Sequence, residues 1–213
     1  MTVPDELVGT WVRTSISLDG APPDEWEDVV WVQTRSHFAD LRLPRAGTVA
    51  PANAPRSPWA FSGTTESEPG RLRWIHSVDS HRPGSPDPHA GDEGDVRWQD
   101  DDPGSGILIE TGSFGATRYE EVWQRVEASA HGDPLVLEAP DGAGRLVRVG
   151  DHSVVVAEHS STGDVAARHD RWDGRSWVPV GHLGSADHLP DPEHHGGWNA
   201  LDPFGPHEDR PIG

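Results

Sequence analysis

Apolar and polar residues alternate with a period of two along most of the chain. In "WVQTRSHFADLRLP" (31–44), Trp31 and Gln33 share a face of one run. Phe38, Asp40 and Arg42 share a face of the next, with Ala39, Leu41 and Leu43 opposite. Such alternation, interrupted by turn residues, predicts strands near 7–17, 28–34, 37–43, 59–65, 71–79, 95–99, 107–113, 116–126, 135–138, 144–149, 152–158, 166–172 and 175–180. "PDGAG" (140–144), "VGDH" (149–152) and "WDGRSW" (172–177) carry hairpin chemistry, because Asp-Gly pairs supply positive φ. Helical patterning is confined to "PPDEWEDVV" (22–30), where Pro precedes an acidic first turn. The polar stretches 44–58 and 80–94 read as unstructured insertions or as mouths and lids of a site. After residue 184 the chain is rich in Pro, Gly, His and Asp, which predicts an extended tail pinned to the barrel by Trp198 and Phe204. The expected organisation is a β-barrel domain over 1–183 and a tail over 184–213. About a dozen short strands joined by hairpins imply an all-β antiparallel barrel or sandwich, and barrel closure removes exposed edges.

Parity also nominates a site. Trp31 goes with Gln33, Phe38 with Asp40 and Arg42, Trp74 with His76, and Tyr119 with Glu121 and Trp123. On each strand an aromatic ring is accompanied by a polar or ionisable group. If the rings face inward, so do these groups, and buried charges must pair or shift their pKa. The inverted arrangement keeps Leu41, Leu43, Val30 and Val32 as the core and leaves Asp40 and Arg42 as a surface pair. His76 is the candidate acid–base group, since imidazole both takes and gives protons near neutrality. Asp79 falls on the opposite face by simple alternation, so Glu121 or Asp40 is the expected orienter of His76. Glu110 reads as a second inward carboxylate, and Tyr119 as a hydrogen-bond donor.

Composition narrows the function. The formal charge of −19 disfavours nucleic acids and anionic membranes. The chain has no Cys and no Lys, which removes thiolate, disulfide and Schiff-base chemistry. Ten Trp against four Phe and one Tyr supply large apolar area with an N–H donor, suited to cores and pockets alike. Thirteen His raise the question of metal. No HExxH or His-x-His motif is present, and "EHH" (193–195) lies beside Gly in the tail. A haem or metal held by His76 with His152 or His169 is the alternative to an expected absence of cofactor. "QDDDPGSG" (99–106) reads as a solvated loop rather than a Ca²⁺ site. No Walker loop, Gly-x-Gly-x-x-Gly or Gly-x-Ser-x-Gly elbow occurs. The N-terminus lacks a basic, apolar leader pattern, and the expected location is cytoplasmic.

The opening "LVGTWVRTSI" places Gly9-Thr10-Trp11 at the first strand and resembles the Gly-X-Trp signature of lipocalins and related calycins. The ordered segments up to "YEEVW" also look like a bacterial and fungal lipocalin-like group whose biochemical role is uncharacterised. The resemblance implies an up-and-down barrel plugged at one end by the Trp, with a late Arg (Arg168 or Arg171) packed over it. It further implies a small-molecule cavity, since calycins include carriers, lyases and cyclases. The expected function is a cofactor-independent enzyme moving protons on a small organic molecule inside the barrel, of isomerase, cyclase or lyase type. His76, Asp40, Glu121, Arg42 and Tyr119 are the candidate catalytic groups. Trp31, Gln33, Phe38, Trp74, Trp123 and Glu110 are the candidate ligand wall. The alternatives are a non-catalytic carrier or sensor of a hydrophobic or aromatic ligand, and an acidic module docking a basic partner.

Overall fold

The computed structural model describes residues 2–82, 92–126, 132–159, 161–193 and 196–204. Eight antiparallel strands close an up-and-down barrel. They are β1 (Gly9–Leu18), β2 (Glu27–Gln33), β3 (His37–Pro44), β4 (Trp59–Glu68), β5 (Arg71–Asp79), β6 (Asp92–Trp98), β7 (Ile107–Phe114) and β8 (Thr117–Arg125). β8 pairs back onto β1. This is the lipocalin-like architecture expected, but it ends at Arg125. β9 (Leu135–Glu138), β10 (Gly144–Val149), β11 (His152–Glu158), β12 (Val165–Trp172), β13 (Trp177–Leu183) and β14 (Asn199–Leu201) form a separate sheet in the order β13-β12-β11-β10-β9-β14. Residues 135–183, grouped above with the barrel, therefore build a second layer.

That layer explains why both faces of "FADLR" look like core. Val30, Val32, Ala39, Leu41, Ala60 and Val78 on the barrel's outer wall pack against Val147, Val149, Val154, Val156 and Ala167 of the sheet. The inner wall holds Trp31, Phe38, Phe61, Trp74 and Trp123. β2 to β4 are thus buried on two sides.

The sheet's other face is covered by the tail. Leu189 and Trp198 pack with Leu137, Leu146 and Val155, and Arg148 and Arg168 donate to the carbonyls of Pro192 and Pro190. Gly144 admits the Trp198 ring, which a Cβ there would meet at 2.7 Å. Trp198 pins the tail to the sheet rather than to the barrel. Phe204 is 45% exposed. The helical turn expected at 22–30 is absent: Asp24 bridges Ile16, and β2 begins at Glu27.

A short 3-10 turn, Asp5–Leu7, caps one end of the barrel. Leu7 accepts from Trp11 Nε1 at 3.0 Å. The Arg over Trp11 is Arg125, 4.9 Å from the ring, not Arg168 or Arg171. Arg125 closes the last barrel strand, whereas the other two belong to the sheet.

β5 contains the decisive irregularity. Ser62 pairs with Val78, but Gly63 pairs with His76, so Ser77 is the extra residue of a bulge. A Cβ on Gly63 would overlap the Ile75 carbonyl oxygen, which only glycine avoids. β6 begins at Asp92 opposite Trp74. Residues 75–79 of β5 consequently outrun it and have no partner strand on that side among the described residues.

Candidate functional site

All eleven nominated residues are buried: Trp31, Gln33, Phe38, Asp40, Arg42, Trp74, His76, Glu110, Tyr119, Glu121 and Trp123. The inward reading of parity holds, and the surface-pair reading of Asp40 and Arg42 does not. The hollow is much smaller than a carrier's. Trp31, Phe38, Phe61, Trp74 and Trp123 leave a void of about 10 Å³, bordered by Asp40, Arg42, Asp92 and Glu110. That is room for about one water molecule.

The space is filled by three polar clusters. Arg13 reaches Glu25 (2.8 Å), Glu27 (2.8 Å) and Glu121 (2.6 Å). Arg42 Nε donates to Asp40 at 3.0 Å, and its Nη1 stands 3.6 Å from Glu121 without a hydrogen bond. Glu110 accepts from Tyr119 Oη at 2.7 Å and Trp123 Nε1 at 3.1 Å. Gly94 makes room for Glu110, whose Cγ would meet a Cβ there at 2.8 Å. Gln33 accepts from Trp31 and Thr65 and donates to the carbonyls of Thr34 and His37. Tyr119 and Gln33 therefore have no donor left for a ligand in this arrangement.

His76 departs from expectation in its partner. Neither Glu121 nor Asp40 orients it; Asp79 does, with Nδ1 and Oδ2 3.0 Å apart. Simple alternation puts Asp79 on the other face, and the bulge at Ser77 restores it to the inner one. Asp79 Oδ1 also accepts from Trp59 Nε1 (2.7 Å) and the backbone N–H of His81 (2.9 Å). The imidazole stacks on Phe61 at 4.4 Å, and its Nε2 is buried without a hydrogen-bond partner. An ionised Asp79 can only accept, so Nδ1 donates, and Nε2 is the ring nitrogen left without a partner.

Burial sets the ionisation of the carboxyls. It pushes Asp40 up to about 6 despite the Arg42 ion pair. Burial, with Glu121 and Asp92 nearby, holds Glu110 well above the usual carboxylate range. Asp92 is raised, chiefly by burial. For Asp79 burial acts upward too, but the hydrogen bonds from His76, Trp59 and His81 outweigh it and hold the group low. Burial also opposes the charge on Arg42, yet Asp40 and Glu121 keep it firmly protonated.

Sequence reasoning missed Arg13, Glu25, Glu27, Trp59, Phe61, Asp79 and Asp92. Arg13 follows Trp11 at the same two-residue spacing, and Trp59 and Phe61 share parity, so these three carried a signal. Asp92 follows a stretch without periodicity and carried none. His152 and His169 lie in the second sheet, hydrogen-bonded to each other at 2.9 Å. His76 belongs to the barrel instead, on β5. Among the described residues no group of three His, Asp or Glu is placed to hold a metal. Residues 99–106 form two 3-10 turns, with Asp102 accepting from Gly104. His194 and His195 of "EHH", and 83–91 of the 80–94 loop, lie outside the described residues. Among the described residues no helix is long and apolar enough to cross a membrane.

Residues 10–200 match the family model described as Protein HRI1. No curated protein and no solved structure matches the chain.

Proposed function

The chain belongs to the Protein HRI1 family, and we propose that its barrel carries out cofactor-independent proton transfer on a small carbonyl-bearing molecule. The observation that supports this is the His76–Asp79 couple. Nδ1 is fixed by a carboxylate held low in pKa, and Nε2 is buried and unbonded. An oriented imidazole with one free nitrogen is what a general base requires. Arg42 Nη1, also buried and unbonded, is the donor for a substrate oxygen on which charge develops. Nε2 takes a proton from carbon beside the carbonyl, Arg42 stabilises the resulting enolate oxygen, and the imidazolium returns the proton. Trp31, Phe38, Trp74 and Trp123 form the apolar wall. Asp40 and Glu121 hold Arg42 rather than His76. Tyr119 and Glu110 brace that wall through the bond to Trp123.

The test is solvent exchange in D₂O. A panel of 2-oxo acids and aryl ketones is followed by NMR for loss of the α-proton. Wild-type protein accelerates exchange of at least one member, and His76→Asn and Asp79→Asn lower that rate on the order of 10²-fold. Equal rates in wild type and both variants, or no exchange above buffer, sinks the acid–base reading. It would leave the second reading, a non-catalytic binder or sensor. That reading draws support from the ring-lined interior, whose void of about 10 Å³ must open to admit any ligand.

A further inference from the structure

The void inside the barrel admits a water but no organic group, so a substrate needs another place for its body. A cleft of about 820 Å³ lies between the barrel and the second sheet. This falls in the range of small-molecule sites, roughly 300–1,000 Å³, which concentrate at interfaces between structural units. Residues 56–58, Ser80 and His81 form the barrel wall; residues 162–166, 183–185 and His188 are on the sheet wall.

Trp59 joins this cleft to the His76–Asp79 couple. His81 stacks on Trp59 at 4.9 Å with a 7° interplanar angle. Trp59 Nε1 and the His81 backbone N–H both hold Asp79 Oδ1. The Arg42 guanidinium lies 5.1 Å from the same indole. A ligand on His81 is thus one ring away from the base and from Arg42, whose Nη1 has no hydrogen bond.

The cleft's chemistry is polarised. Arg56 on the barrel wall forms no ion pair with a described residue. The carboxylates, Asp164 and Asp187, are on the sheet wall. Pro58, Val165 and Leu183 supply apolar surface between them. This arrangement turns an anionic group toward the barrel and an apolar body along the walls.

We propose that the cleft binds a small organic carboxylate, with its carboxylate on Arg56 and its body against Pro58, Val165 and Leu183. The description of that acid as the barrel's substrate rests on the acid–base reading; its binding does not.

Isothermal titration calorimetry of the full chain tests this with benzoate, phenylacetate and cyclohexanecarboxylate, each beside a neutral partner such as benzyl alcohol or phenylacetamide. The acids bind at least about tenfold more tightly than the neutral partners, and Arg56→Gln removes that preference. Thr162→Trp, which fills the cleft from an exposed turn, abolishes binding. His76→Asn leaves acid affinity within about twofold, because the cleft holds the ligand without it. Equal affinity for acids and neutral partners, no binding by any acid, or full affinity in Arg56→Gln overturns the proposal. Arg56-dependent binding without solvent exchange upholds the cleft and removes the acid–base reading. Exchange that persists in Arg56→Gln with unchanged KM overturns the assignment of the cleft acid as the barrel's substrate.

Discussion

His169 is half-buried against His152, and desolvation, with His152 and Arg171 nearby, lowers its pKa to about 3. His37, half-buried near Arg145, falls to about 4. An unfolded chain protonates both below the ordinary 6.5. From pH 6.5 downward the unfolded state therefore takes up protons the fold refuses, and stability drops by up to about 1.4 kcal/mol per pH unit for each. Asp40 acts oppositely. Its folded pKa of about 6 exceeds the ordinary 3.8. The stability it contributes is complete below the ordinary value and is lost as pH rises through about 6. His169→Gln is expected to flatten the decline of the urea midpoint between pH 7 and 5, recovering about 2 kcal/mol at pH 5 relative to wild type. An unaltered slope would mean that His169 titrates in the fold as it does in the unfolded chain. At this scale the sequence was informative wherever a strand ran without interruption. Asp40, Arg42, Glu121 and Glu110 all point inward as parity requires. Asp79 was misplaced because one inserted residue, Ser77, inverts parity, and alternation alone does not reveal an insertion.

Among the elements, β4 and β5 show how a single glycine positions a site. Gly63 allows the backbone contact with Ile75 that accommodates the bulge, and the bulge brings Asp79 to His76. Gly63→Ala is expected to destabilise the fold by about 2–4 kcal/mol, since β5 must shift or lose ladder bonds. It is also expected to remove the Asp79 partner, so His76 loses its low-field Nδ1 proton resonance. A variant that keeps that resonance and a wild-type melting temperature would show that the ladder tolerates a side chain there. The positions of the strands were readable from alternation and turn chemistry. β14 was missed because three residues, Asn199–Leu201, are too few for a period. The helical pattern at 22–30 lost to pairing, because Asp24 is tied to Ile16 by two backbone hydrogen bonds.

In the molecule as a whole, partition was the illegible property. Barrel and sheet strands share one periodicity, so nothing local marks Arg125 as the last stave of the barrel. "SVVVAEH" (153–159) held a hint, because its unbroken Val run suits a strand covered on both faces. The double covering of β2 to β4 means that neither layer is complete without the other. If the chain is severed between 126 and 132, the barrel half bears a bare patch of Val30, Val32, Ala39 and Leu41, and the other half bears Val147, Val154 and Val156. Each piece alone should clump or bind hydrophobic dyes. Mixed together, the pieces should re-form a stoichiometric, non-covalent heterodimer, detectable by gel filtration. The chain is in this sense two interlocking parts that happen to share one backbone.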